Sequence, residues 1–166
     1  METAHELFEH ELQSAYDGVK RLERGLGTVA KAASHPQLST KVEDLHKAVK
    51  DQVKRVEEIF ELLHQDARKQ ESKPVKGFLD EFRSFVKEQK PQKEVLDAFV
   101  AHVAGDIAQY AMEEFQGMLQ IAEQSGATNA SPKISDNLQV SMKEHKKIHK
   151  DIQKLTDQLI QQIRPS

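Results

Sequence analysis

Cysteine and tryptophan are absent from this chain of 166 residues, which also has only seven glycines and five prolines. Without cysteine, the chain cannot form a disulfide, a thiolate zinc site or a cysteine nucleophile, and this fits a reducing compartment. Because glycine and proline are scarce while Glu, Lys, Gln, Ala and Leu dominate, the composition favours long helices over sheet. The length predicts one domain, residues 1–166, large enough to bury a core without covalent cross-links.

Three further absences limit the partners and the location of the protein. The apolar runs are too short for a membrane span, and the segment 1–6 has neither the basic nor the apolar region of a signal peptide. The formal net charge of −3, with acids and bases interspersed, gives no large basic field for nucleic acid. We therefore expect a soluble, cytoplasmic protein that binds neither a membrane nor nucleic acid.

Apolar residues spaced by three and four predict four long helices and one short one. Pro36 ends the first helix, because a residue before proline is disfavoured in the α region, and Ser39 or Thr40 is the predicted cap of the second. A polar stretch, residues 64–73, then leads to a short amphipathic helix. The third and fourth long helices are separated by a predicted turn over residues 125–132.

Two helical hairpins joined by a long connection predict an all-α, ferritin-like four-helix bundle, with the short extra helix in the crossover. An extended coiled coil is the alternative for such apolar stripes. The prolines between the segments argue against it, and four compact helices are the better interpretation.

The local sequence resembles that of the YciE/YciF ferritin-like family over nearly the whole chain. The segments that carry the resemblance are Glu6–Leu12, Tyr16, Lys20–Leu22, Ala30–Ser34, Leu38–Ser39, Val56–Leu63, Ala122–Gly126 and Lys154–Asp157. The resemblance implies a ferritin-like bundle, association with stress, a homodimer and, in typical members, a di-metal carboxylate site.

The residues at the matching metal positions depart from the family pattern. The resemblance places the first-helix ligand at Val19, the second-helix pair at Lys47 and Lys50, and the third-helix acids at Ala108 and Ala111. Valine, alanine and lysine side chains cannot hold a divalent cation. We therefore expect no metal and no cofactor, a stable metal-free bundle, and a low tolerance for a carboxyl at Val19.

A relocated metal site is the alternative, and its candidate ligands are His102, Asp106, Glu144, His145 and His149. The last two histidines are four residues apart, so they project from the same side of one helix. Such a site would hold iron or zinc in a metal-binding protein or oxidase. Lys143, Lys146, Lys147 and Lys150 crowd this helix, and their charge disfavours a cation. These lysines are interpreted as a solvated face, with one histidine partly buried and the other exposed.

Two other histidine patterns have weaker support. The pair His5 and Glu9, together with the histidines above, is similar to pieces of hemerythrin-like bundles, but the order and spacing do not match. His46, followed by Lys47, has the setting of a phosphotransfer histidine, but the glycine-containing signature is missing and Asp51 would repel phosphate.

The short helix is rich in phenylalanine, with Phe78, Phe82 and Phe85. These rings either dock on the protein's own core, which we favour slightly, or form a contact between subunits. The family resemblance implies a non-enzymatic, structural or stress-associated protein, and together with the phenylalanines of the short helix it predicts a homo-oligomer, most simply a dimer. A helical adaptor that binds another protein is a third possibility.

Overall fold

The computed structural model describes residues 1–165 and contains helices without any strand in that range. The helices are α1 (Ala4–Ala32), α2 (Pro36–Leu62), α3 (Lys73–Gln89), α4 (Lys93–Ser125), α5 (Ala127–Ala130) and α6 (Pro132–Gln162). The hairpins α1/α2 and α4/α6 pack side by side, and the long crossover between them contains α3. This confirms the all-α prediction and the connectivity of a ferritin-like bundle.

Local sequence explains the helix ends, with one correction. At the start of α1, the Glu6 amide donates to Thr3 Oγ1 at 3.1 Å and the Thr3 amide donates to Glu6 Oε2 at 3.0 Å, which is a capping box. The predicted cap of α2 at Ser39 or Thr40 is wrong, because α2 already begins at Pro36. Proline is favoured in a first helical turn, where its fixed φ matches the helix and no amide donor is needed.

The predicted turn over residues 125–132 needs a second correction. Helix α4 ends at Ser125 and is capped by Gly126, whose φ of +80° lies in the left-handed region that glycine adopts without steric cost. The one-turn helix α5 follows within the predicted turn, and α6 begins at Pro132. The chain thus reverses direction through a further helical turn rather than through an irregular loop.

The apolar stripes of the long helices form the core as predicted. Helix α4 is central, packing against α1, α3 and α6, and it is apolar around most of its circumference. Its alanines allow the neighbouring helices to approach closely. The largest fully buried side chains are Phe8, Leu12, Leu26, Leu38, Leu45, Ile59, Phe60, Ile107, Phe115, Met118, Ile134 and Leu138.

Two interactions hold the crossover against α1: hydrogen bonds to the buried carboxylate of Asp17, and close packing of α3 on α1 at Gly25. Asp17 accepts the Ser72 amide at 2.8 Å and the Arg21 Nε–H at 2.5 Å. At Gly25 a Cβ atom would lie 2.9 Å from Leu79 of α3, so the absence of a side chain allows α3 to pack closely on α1.

The phenylalanines of α3 pack on the protein's own core. Phe82 is buried, Phe78 lies edge-on to Tyr110 with ring centroids 5.9 Å apart, and Phe85 stacks on Phe99 at 3.7 Å. This bears out the favoured interpretation, and it weakens the argument that α3 carries surplus apolar surface for a second subunit.

Candidate functional site

The centre of the bundle holds a buried histidine that is bonded to a buried glutamine. His145 of α6 is fully buried, and its Nε2 lies 2.7 Å from Oε1 of Gln52 on α2. An amide oxygen only accepts, so we assign the imidazole proton to Nε2. The ring also stacks on Phe115, with centroids 5.8 Å apart. Burial, together with the nearby charge of Arg55, lowers the pKa of His145 to about 3, so the ring is neutral.

The adjacent carboxylate is held by an arginine. Arg55 Nη1 and Nη2 donate to the two oxygens of Glu144 at 3.0 and 2.8 Å, which is a bidentate ion pair between α2 and α6. The Gln52 amide nitrogen donates to the same carboxylate at 3.4 Å. A continuous polar network, His145–Gln52–Glu144–Arg55, therefore joins the two helical hairpins. We call these four residues the central polar network.

The other three candidate ligands lie elsewhere, on the outer seam between α4 and α6. His102 Nε2 is 3.3 Å from Asp106 Oδ2, and the two side chains are 65% and 42% exposed. His149 lines the same shallow depression, whose volume is about 210 Å³. The five candidate ligands thus separate into a central pair, Glu144 and His145, and this surface group of three.

The positions that the family resemblance singled out supply no ligand to the interior. Val19, Ala108 and Ala111 are buried and have no donor atoms. Lys47 and Lys50, where the resemblance places the second-helix pair, are exposed on the outer face of α2 and do not reach the interior.

Gln52 and Arg55, which are also three residues apart, face α6 instead of those lysines. Sequence reasoning missed both residues. One feature of the sequence could have indicated Gln52: it lies on the same side of α2 as the apolar residues Val49, Val53 and Val56.

The donor set at the centre does not fit a pair of divalent cations. Such a pair needs several bridging and terminal carboxylates. The central polar network offers one neutral imidazole, one amide and one carboxylate that is already bound to a guanidinium. In residues 1–165, no group of three or more His, Asp and Glu side chains lies close enough together to hold a metal ion.

The weaker histidine patterns have structural partners. His5 lies 3.0 Å from Glu9 near the exposed start of α1. His46 Nε2 is 2.7 Å from the carbonyl oxygen of Glu23 on α1. This hydrogen bond joins α2 to α1 and uses one of the two ring nitrogens of His46. The lysines of α6, Lys143, Lys146, Lys147 and Lys150, are all exposed, as the solvated-face interpretation predicts.

Among the helices of the described chain, none combines the length and the apolarity that crossing a bilayer requires. The fold and its central network define the class of protein, an all-α four-helix bundle with one long crossover.

Comparison with known proteins identifies the family. A family described as a domain of unknown function (DUF892) matches residues 3–163, and the chain belongs to this family, that of the YciE/YciF proteins. Protein YciF of Escherichia coli strain K12 is 26% identical over 140 residues, which are 84% of each chain.

Solved structures show the same fold. The E. coli stress protein YciF superposes with a TM-score of 0.87 at 22% identity, covering 98% of this chain and 100% of the other. YcfI from Rhodopseudomonas palustris superposes with a TM-score of 0.83 at 18% identity, covering 92% and 94% of the two chains. At these identities, the structural likeness establishes the fold alone.

Proposed function

We propose that this protein is a non-enzymatic, structural and stress-associated member of its family that has no di-iron site. The observation that carries the proposal is the bidentate ion pair between Arg55 and Glu144, the one carboxylate of the central polar network. A guanidinium stays protonated under all ordinary conditions. The Arg55 guanidinium therefore holds a permanent positive charge against both oxygens of Glu144, and a metal ion would have to displace it to bind them.

Replacing the arginine by a metal would also disrupt the joint between the hairpins. A partly buried carboxylate that loses its partner costs several kcal/mol in typical cases. His145 uses Nε2 for Gln52, so only its Nδ1 lone pair is available. These constraints favour a structural role for the central polar network, which positions α2 against α6, over a role in binding metal.

The names of two related proteins agree with the proposed role. The E. coli relative is described as a stress protein, and the role suggested for the R. palustris relative is structural. We transfer these roles to this chain as a proposal. A cytoplasmic location and a homodimer belong to the same proposal, and the family resemblance supports the dimer.

The experiment compares thermal melts of the wild-type protein in EDTA with melts in zinc, manganese or ferrous iron, the last under anaerobic conditions. A cation that binds the folded state raises the melting temperature, and the rise grows with the logarithm of the cation concentration once that concentration exceeds Kd. We expect no such rise. The variant Glu144→Gln should melt lower than wild type by the same amount with and without metal, because its defect is the broken ion pair. A metal-dependent rise that Glu144→Gln abolishes would refute the proposal.

A second candidate function is mononuclear metal binding on the surface. His102, Asp106 and His149 line one depression, and two imidazoles and a carboxylate are typical zinc ligands. In the described structure the three side chains are not close enough together to hold a metal ion, so this candidate requires them to converge when zinc binds. The same melts separate this candidate from the first. A zinc-dependent rise that survives in Glu144→Gln and disappears in His102→Ala would support the surface site.

A further inference from the structure

Basic side chains from two helices meet in a depression between α1 and the crossover helix α3. The depression has a volume of about 290 Å³ and is lined by Arg21, Arg24, Lys76, Leu79, Asp80 and Arg83. Four of these six side chains are cationic and one is anionic, whereas the whole chain carries a net charge of −3. The depression is therefore a local concentration of positive charge on an acidic protein. We call it the α1/α3 depression.

Helical spacing and a close helix contact bring these cations together. Arg21 and Arg24 are three residues apart, so they share one side of α1. Lys76 and Arg83 are seven residues apart, which is about two helical turns, so they share one side of α3. Gly25 lies directly beside Arg24, and its lack of a side chain lets α3 approach α1 closely. The two basic sides therefore meet at one depression.

The cations of the depression differ in how well carboxylates of the protein neutralise them. Asp17 accepts from Arg21 Nε at 2.5 Å, and Asp80 lies 3.1 Å from Arg83 Nη1 on the same helix. The ion pairs found in residues 1–165 do not include Arg24, whose side chain is exposed and lines the depression. The Arg24 guanidinium is therefore available to an external anion.

Glu71, in the segment before α3, holds the position that an anion would take. Its Oε2 lies 3.7 Å from Arg21 Nη2 and 3.5 Å from Lys76 Nζ. One oxygen thus faces cations from both helices, at distances longer than the roughly 2.7–2.9 Å of a charge-assisted hydrogen bond. Glu71 is 47% exposed, and exposed ion pairs contribute little to stability. An external anion can therefore displace the Glu71 carboxylate at small cost.

We propose that the α1/α3 depression binds the phosphate groups of a small anion, and that Glu71 competes for the site in the free protein. A guanidinium matches phosphate in geometry, because two of its parallel N–H donors reach two oxygens. Arg24 and Lys76 supply positive charge from opposite sides of the site. A volume of about 290 Å³ is near the lower limit of small-molecule sites, which favours a diphosphate over a polymer.

The lysines of α6 are a second concentration of positive charge, and they make a poorer phosphate site. They are exposed and project from a single helix, namely Lys143, Lys146, Lys147 and Lys150. An ammonium group is a point charge without the planar fork of a guanidinium. In the α1/α3 depression, by contrast, donors from two helices surround the anion. The α6 lysines therefore serve as the control surface in the experiments.

The first test titrates the protein with pyrophosphate by calorimetry, in metal-free buffer of low ionic strength so that surface charges are not screened. Arg24→Gln should weaken pyrophosphate binding at least about tenfold, because it removes a charge-assisted contact. Lys150→Gln removes the same charge from α6 and should bind like wild type. No binding to wild type, or an equal loss of affinity in both variants, would overturn the proposal.

Two further anions identify what the depression recognises. Sulfate has one anionic group, so it should bind at least about tenfold more weakly than pyrophosphate, and equal affinity would reduce the site to non-specific charge attraction and refute it. ADP carries the same diphosphate on a nucleoside. An affinity for ADP that equals or exceeds that for pyrophosphate would identify nucleotides as ligands, and a weaker one would restrict the site to inorganic anions.

The second test looks for a gain of affinity, which a folding defect cannot imitate. Glu71→Gln removes the competing carboxylate and should bind pyrophosphate about three to five times more tightly, as the loss of one exposed ion pair predicts. Glu113→Gln removes the same charge from an exposed position on α4 and should bind like wild type. An unchanged affinity in Glu71→Gln, or an equal gain in Glu113→Gln, would contradict the proposed competition.

Amide NMR of the wild type with pyrophosphate locates the site directly. The largest shifts should fall in residues 20–25 of α1 and residues 71–84 of the crossover, which carry the α1/α3 depression. Shifts of similar size should be missing from residues 143–150 of α6. If the largest shifts lie on α6 instead, the anion binds the exposed lysines and the proposal is wrong.

Discussion

Replacing Val19 by aspartate places a carboxyl in the packed interior of α1. Val19 is 3% exposed and belongs to the main hydrophobic cluster. The lysines that might have compensated the new charge, Lys47 and Lys50, point to solvent. Arg55, the cation of the central polar network, is already paired with Glu144. The new carboxyl would therefore be unpaired, and it would be forced to stay protonated or to pull the helix apart.

Two terms set the size of the effect. Losing the burial of a valine side chain costs about 2 kcal/mol, and withdrawing a neutral carboxyl from water without a partner costs roughly 1–3 kcal/mol more. A total of roughly 3–5 kcal/mol is a large part of the stability of an ordinary domain. For a chain of this length, it lowers the melting temperature by roughly 6–20 °C.

The assay is a thermal melt of Val19→Asp beside Val140→Asp, the same substitution at a valine that is 43% exposed on α6. The control should melt within a few degrees of wild type. Because burial raises the pKa of the new carboxyl, the deficit of Val19→Asp should be smaller at pH 4 than at pH 7.5. Adding zinc, manganese or ferrous iron should not restore its stability. A Val19→Asp protein that melts like the control, or that a metal rescues, would show that the interior at this point is not a dry, metal-free core.

Three further predictions follow from the packing, the buried imidazole and the family resemblance. Because His145 is buried in its neutral form, the free energy of unfolding should fall by up to about 1.4 kcal/mol for each pH unit below 6.5, down to about pH 3. The double variant Gln52→Leu/His145→Leu should lose this dependence on pH. Urea titrations in which the variant loses stability in acid as steeply as wild type would contradict the prediction. Gly25→Ala should destabilise the protein by roughly 1–3 kcal/mol, because the new methyl group overlaps Leu79. Gly77→Ala should stabilise it by roughly 0.5–1 kcal/mol, because a Cβ atom there meets no other atom. If the denaturant midpoints of the two variants shift in the same direction, the close contact at Gly25 is refuted. Light scattering at high concentration should give twice the 18.9 kDa chain mass, and a monomer mass would refute the dimer.

The sequence predicted the helices and the crossover because these depend on local signals. Stripes of apolar residues at helical spacing lead directly to a bundle, and prolines mark where the segments separate. The start of α2 was misplaced because Pro36 can end one helix or begin the next. The single turn of α5 has no apolar stripe of its own, so residues 127–130 were predicted as part of a turn.

The central polar network was harder to predict, because its partners are far apart in sequence. The interaction of Gln52 with His145 depends on how α2 and α6 pack, and no local pattern records it. Lys47 and Lys50 lie on the exposed face of α2. Gln52 and Arg55 are five residues further along, which turns a side chain by roughly 140° at 100° per residue, and they lie on the face toward α6.

The central claim, that this bundle is built without a di-iron site, is tested most directly by elemental analysis. The protein is expressed in iron-supplemented medium, purified without chelators and analysed for iron, manganese and zinc per chain. Our account predicts less than about a tenth of an equivalent of each metal in the wild type. It also predicts no increase in Glu144→Gln, in which Arg55 loses its carboxylate partner. Iron near two equivalents per chain in the wild type would contradict the account.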